Sequence, residues 1–154
     1  MKDRSPSPIW SVVEGGESFE SFCNNLIPKF EPNDSVPEAI RRRIETISKL
    51  LRYSYFEYDF VDVAIERSYQ TLELALHLKY EMINPEKSKK NFKPYMDWAV
   101  QNGYLKLSNE QKKTLEYLRN HVTHLKADRT GGIVHLNMIK IICNDIINDL
   151  FTLK

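Results

Sequence analysis

Arg119, Asn120 and His124 are the residues of this 154-residue chain best suited to work on a phosphodiester. Arginine offers a rigid fork of donors that matches phosphate oxygens. Histidine titrates near neutral pH and can give or take a proton. RNA carries a 2′-OH that can attack its own phosphate, so a cleaving site need supply neither water nor metal. It needs a base for the 2′-OH, an acid for the leaving 5′-oxygen and a cation on the phosphorane. An Arg–His pair five positions apart is a weak signal: with 8 Arg and 4 His in the chain, chance supplies about 0.2 of them. Requiring Asn, of which there are 11, directly after the Arg lowers that to about 0.01–0.02.

The elements that must position these residues read as helices. Ser108-Asn109-Glu110-Gln111 is a capping box, and Leu115, Leu118, Val122 and Leu125 follow at helical spacing, so the Arg–His segment lies late in an amphipathic helix that ends near Arg129-Thr-Gly-Gly. His124 then stands near a helix C-terminus, where the dipole favours the imidazolium and a general-acid share. Before it, Ser35-Val-Pro-Glu38 is a second capping box, with Pro37 in the first turn and a stripe of Ile40, Ile44, Ile47 and Leu51 behind it. Asp59 is placed to cap a long helix through Val61, Ile65, Tyr69, Leu72, Leu76, Tyr80 and Ile83, stopped by Asn84-Pro85. Pro94 opens a short helix that Asn102-Gly103 closes, and a short helix follows Ser18. The last helix, about 133–152, has Ile139, Ile142, Ile146 and Leu150 in one stripe, with Met138, Ile141 and Phe151 starting a second. Two apolar faces place it inside a bundle or between subunits. The reading is an all-α bundle of four main helices plus short accessory ones over residues 18–154, preceded by a flexible arm at 1–17 that holds Pro6, Pro8 and Gly15-Gly16.

On a helix turning about 100° per residue, Arg119 and His124 lie roughly 140° apart and Asn120 and His124 about 40° apart. One copy offers an Asn–His face with Arg on its flank and one reliable proton carrier. Two copies about a two-fold axis would bring two His and two Arg to one phosphate.

The six-residue segment resembles the signature of the HEPN family of helical bundles, many of which are metal-independent endoribonucleases: Arg, a polar residue that is often Asn, three variable residues, then His. Arg119, Asn120 and His124 match it position by position. The long helix with SYQTLELALHLKY and the FKPYMDWAVQNGYL segment also look like the family's layout, so the resemblance spans roughly residues 36–152. It implies a HEPN-like fold, a composite site across a homodimer, catalytic roles for Arg119, Asn120 and His124, and no cofactor. The products would be a 2′,3′-cyclic phosphate and a 5′-OH. It also implies a toxin or anti-phage role under the control of an antitoxin, such as a nucleotidyltransferase, or of another defence-system partner. Some HEPN toxins carry Tyr two places after the His, where this chain has Lys126. The alternative within the same resemblance is a non-catalytic HEPN module that dimerises and binds nucleotide, RNA or a protein partner.

Other constellations read more simply. Arg119 can pair with Glu116 or a helix C-terminus, and His124 can act as a capping cation. His121, His124 and His135 lack the Cys or carboxylate that a known zinc spacing needs. Glu73 and His77 are four apart and unrepeated, unlike the paired motifs of di-iron bundles, and read as structural. Tyr53, Tyr55, Phe56, Tyr58 and Phe60 crowd a helix–helix turn, where packing outweighs a base-stacking platform. The KSKK run at 87–90 with Lys112, Lys113, Lys126 and Arg129 could line a path for an RNA backbone.

Composition bounds the rest. The 22 basic and 21 acidic residues nearly cancel, which argues against a protein that coats nucleic acid non-specifically. Gly (5) and Pro (7) fall below the roughly 12% of average usage, leaning toward long helices. No stretch approaches the roughly 18 apolar residues of a membrane span, and MKDRSPSPIW has no apolar h-region. Cys23 and Cys143, far apart and without partner spacing, are expected as reduced core residues of a cytoplasmic protein.

Overall fold

The computed structural model describes residues 5–87, 91–124 and 132–152, the side chains at 123, 124, 132 and 133 excepted. Among the described residues the chain is all-helical: a 3₁₀ turn at Trp10–Val12, then α1 (Phe19–Asn25), α2 (Glu38–Tyr53), α3 (Phe60–Ile83), α4 (Phe92–Gln101), α5 (Asn109–His124), α6 (Gly132–Lys140), a π-helical stretch (Ile141–Ile146) and α7 (Ile147–Thr152). The last three run on as one terminal helix. No helix among them is long and apolar enough to cross a membrane.

The long α3 is the hub, packing against α2, α4, α5, α6, the π stretch and α7. Its buried face alternates bulky Ile65, Tyr69, Leu72 and Leu76 with small Ala64, Ser68, Thr71 and Ala75. Small residues let neighbouring helices approach closely. Ser68 and Thr71 are buried yet satisfied, because their hydroxyls donate to the Ile65 and Arg67 carbonyls at 2.7 Å. Ile40, Ile44, Ile47 and Leu51 bring α2 onto the core as one stripe, and Ile139, Ile142, Ile146 and Leu150 do the same for the terminal helix.

Within the expected flexible arm at 1–17, the segment from Ser7 to Gly16 is docked on the core. Trp10 is 1% exposed, its Nε1–H donates to the Ser54 carbonyl at 2.7 Å, and its ring packs on Phe22 and Tyr58. Ser7 N–H donates to the Tyr55 carbonyl at 2.7 Å. Gly15-Gly16 serves close approach here: Gly15 has φ +91°, and a Cβ on Gly16 would sit 2.1 Å from the Trp10 carbonyl oxygen.

Of the two capping boxes, one forms. Ser108 Oγ accepts from Gln111 N–H at 3.1 Å while Gln111 Oε1 accepts from Ser108 N–H at 2.8 Å. Ser35 caps nothing, since the cap position is Pro37 and Glu38 turns instead to Arg41 and Arg42 at 3.3 and 2.9 Å. Asp59 stands at the start of α3 without a side-chain cap bond. The 29–33 loop is held by side-chain amides of the terminal helix: Asn144 accepts from Glu31 N–H and donates to the Lys29 carbonyl, and Asn148 accepts from Asn33 N–H and donates to the Glu31 carbonyl. Two amides one turn apart thus serve an extended loop as a neighbouring strand would.

Candidate functional site

Arg119 and Asn120 stand on the last turns of α5, where Leu115 (5% exposed) and the partly buried Leu118 and Val122 pin the helix to the core. Arg119 leans from the flank of α5 toward α3, where its Nη2 meets Glu73 Oε2 at 3.0 Å. Nη1 donates to Asn120 Oδ1 at 3.2 Å, and the guanidinium lies 5.7 Å from the centroid of the buried Phe92 ring. Beside it, Lys93 Nζ reaches Glu116 Oε2 at 3.1 Å, a contact that raises the lysine pKa. Glu73, Asn91, Phe92, Lys93, Glu116, Arg119 and Asn120 line one cleft of about 220 Å³. Three helices therefore build it: α3 gives a carboxylate, α4 the aromatic floor and a cation, α5 the Arg–Asn pair.

The arrangement is a cleft of alternating charge, two cations each held by a carboxylate, with amides of Asn91 and Asn120 at its edge. Such a cleft can take up a phosphate only by exchanging carboxylate oxygens for phosphate oxygens on the same donors. Asn120 sits on the outer face of α5, which also exposes Tyr117 (63%) and His121, stacked at 5.2 Å between centroids. By helical register, position 124 continues that row. His124 closes α5, but its side chain, like all of Lys126 and Arg129, lies outside the described residues.

The other expected residues fall elsewhere. Lys112, offered as part of an RNA path, is half-buried and bound to Asp97 at 2.5 Å, and Lys113 is exposed. The KSKK run has Lys87 described and its remainder outside the description. Arg119 pairs with Glu73, whereas the sequence pointed to Glu116, which belongs to Lys93. His77 is held by Tyr95 at 2.7 Å and Glu81 at 3.1 Å. Among the described residues no cluster of three His, Cys, Asp or Glu could hold a metal ion. Tyr55 and Phe56 pack with Phe19 and Phe22 at the α2–α3 turn, while Tyr53 is exposed. Cys143 is buried, which pushes its thiol pKa up to about 12.

Sequence reading missed Glu73, Asn91, Phe92, Lys93 and Glu116 as lining residues. For Glu73 the signal was present: in TLELALHL a single carboxylate interrupts an apolar run, and a carboxylate at the edge of a core needs a cation.

No family model, no curated protein and no solved structure matches the chain.

Proposed function

We propose that the protein is a HEPN-type, metal-independent endoribonuclease. The single observation that carries the reading is that Arg119 and Asn120 of the motif hydrogen-bond each other on the wall of one polar cleft, with a further cation, Lys93, beside them. In this reading the RNA 2′-oxygen forms a bond to the adjacent phosphorus as the bond from phosphorus to the 5′-oxygen breaks. His124 carries protons to or from these oxygens, Arg119 stabilises the phosphorane charge, and Asn120 orients His124 or the phosphate. Arg119 and His124 of one copy lie about 140° apart around α5, so the site is completed by a second copy docked on the outer face of α5, with one copy's His124 facing the other's Arg119. A toxin or defence role and an antitoxin-like partner belong to the same reading.

The paired carboxylates favour a second reading, a non-catalytic HEPN module. Glu73 and Glu116 already occupy the donors that phosphate would need. Digestion of end-labelled RNA in EDTA separates the two. Wild type is expected to leave cyclic-phosphate ends, and purity-matched His124→Ala to cut at least about a hundredfold more slowly. RNA left intact by wild type at high concentration, with no inhibitor bound, sinks the nuclease and leaves the module.

A further inference from the structure

Where the C-terminal half of α3 meets α4, a phenol, an imidazole and a carboxylate stand in line. Tyr95 of α4 is 4% exposed, and its hydroxyl lies 2.7 Å from His77 Nδ1 of α3. The other imidazole nitrogen, Nε2, lies 3.1 Å from Glu81 Oε1, one turn further along α3. A carboxylate only accepts, so Nε2 carries the imidazole hydrogen and Nδ1 accepts from the phenol. Tyr95 therefore has a base already seated on its proton, and that base has a negative charge behind it.

The same phenol ring ends a chain of oxidisable rings. Tyr80 of α3, itself buried, packs edge-on against Tyr95 with centroids 5.4 Å apart, and against Trp98 of α4 at 4.8 Å. Trp98 meets Tyr104, just past α4, at 5.1 Å. Helical spacing builds the seam, since His77 and Tyr80 are three apart on α3 and Tyr95 and Trp98 are three apart on α4. Trp98 and Tyr104 are only partly buried, so the chain leads from the surface to the buried phenol. Charge differs at its two ends. Lys79 Nζ stands 4.6 Å from the Tyr104 centroid, where a cation disfavours a positive hole at rest on that ring. Glu81, at the Tyr95 end, is opposite in sign to the charge His77 would gain with a proton.

We infer that Tyr95 is a one-electron redox site, oxidised through Tyr104, Trp98 and Tyr80 by a diffusible oxidant of the radical class. The oxidant gains one electron at the partly exposed end of the chain. Electrons pass outward from ring to ring, and Tyr95 supplies the last of them. An oxidised phenol is a strong acid, so its proton crosses the 2.7 Å bond to His77 Nδ1 as the electron leaves. The products are a neutral phenoxyl radical and an imidazolium. One electron from a small thiolate, with the proton returning from His77, restores the pair and leaves a thiyl radical. This assignment does not depend on the reading of Arg119 and would stand if that reading fell.

Flash oxidation of the full chain by tris(bipyridyl)ruthenium(III), generated from the ruthenium(II) complex and persulfate, tests it. Transient absorption and freeze-quench electron paramagnetic resonance follow the radicals. Wild type is expected to hold a phenoxyl radical that forms more slowly in D2O and outlives those on the exposed Tyr53 and Tyr117. Tyr95→Phe keeps the ring contacts and should abolish the long-lived signal. His77→Leu removes the acceptor and should slow its formation about a hundredfold, the least that a positioned base commonly contributes. Trp98→Phe interrupts the chain and should slow formation while leaving the radical's spectrum as it was. A long-lived signal that persists in Tyr95→Phe overturns the inference, and so does an unchanged rate in His77→Leu with its melting curve intact. Radicals in wild type that all decay as fast as those of free tyrosine overturn it too, and an unchanged rate in Trp98→Phe overturns the route.

Discussion

At the scale of residues, the contact that sets the candidate site is Arg119 with Glu73. Both side chains are about one-third exposed, 29% and 35%, so water screens much of their attraction. The bidirectional hold on Arg119, with Glu73 on one amine and Asn120 on the other, fixes the guanidinium plane over Phe92. A double-mutant cycle with Arg119→Ala and Glu73→Ala should therefore return a coupling of about 0.5–1 kcal/mol in urea unfolding. A coupling indistinguishable from zero would mean the pair does not persist in solution. His135 and Asp62 form the other residue-scale device. The imidazole Nδ1 lies 3.7 Å from Asp62 Oδ1, with side-chain exposures of 20% and 11%. Burial pushes the His135 pKa below its ordinary 6.5, and the Asp62 charge only partly opposes this. A histidine whose folded pKa is depressed binds fewer protons folded than unfolded. Its stabilising share is complete above about 6.5 and is lost as pH falls through that value toward the folded pKa. Melting temperature should decline across that interval in wild type, and His135→Gln should flatten that decline. Parallel slopes for the two proteins would show that other groups carry the pH dependence.

At the scale of elements, the N-terminal turn carries the sharpest prediction. Gly16→Ala sets a methyl against the Trp10 carbonyl, a backbone atom that cannot swing aside. The cost should be about 1–3 kcal/mol, read as a lower melting temperature with a changed Trp10 near-ultraviolet signal. An unaltered melt would return this segment to the status of a loose arm. Its docking was hidden in the sequence because Pro6, Pro8 and the Gly pair look the same whether they loosen a tail or turn it back onto the core. The tryptophan, with an indole N–H that needs a partner when buried, was the clue. Helical stripes were legible because packing and period agree, as Ile40 through Leu51 demonstrate. Capping was half-legible. Ser108 and Gln111 close their box, but Pro37 sits between Ser35 and Glu38, takes the cap position itself, and leaves Glu38 to Arg42. The π stretch left no mark in the sequence, since the apolar residues of the terminal helix read the same at either pitch. Likewise the Arg119–Asn120 adjacency was plain in one dimension, whereas the partnership with Glu73 depends on which helix α5 packs against.

At the scale of the molecule, α3 decides what α5 can do. By packing against the inner side of α5 and holding Arg119 at its flank, it leaves Tyr117, Asn120 and His121 facing outward. The proposed nuclease needs that outward row covered by a second copy, because proton transfer to and from two different oxygens calls for more than one histidine or for a histidine facing the other copy's arginine. Complementation tests this directly. Arg119→Ala and His124→Ala homodimers should each be inactive in the RNA assay. When the two 18.1-kDa chains are mixed and allowed to exchange, about half the dimers are heterodimers carrying one intact Arg119 and one intact His124 about the shared axis. Activity should reappear in the mixture and should rise with the time allowed for exchange. It should also vanish when Tyr117→Glu, which places a charge on the outer row, is present in both chains. Activity that never returns, from proteins that sediment as dimers, would mean either that the site needs both histidines or that the working Arg and His belong to one chain. Sedimentation of wild type as a monomer at assay concentration would remove the composite site altogether, and any cleavage would then have to be explained from the single cleft between α3, α4 and α5.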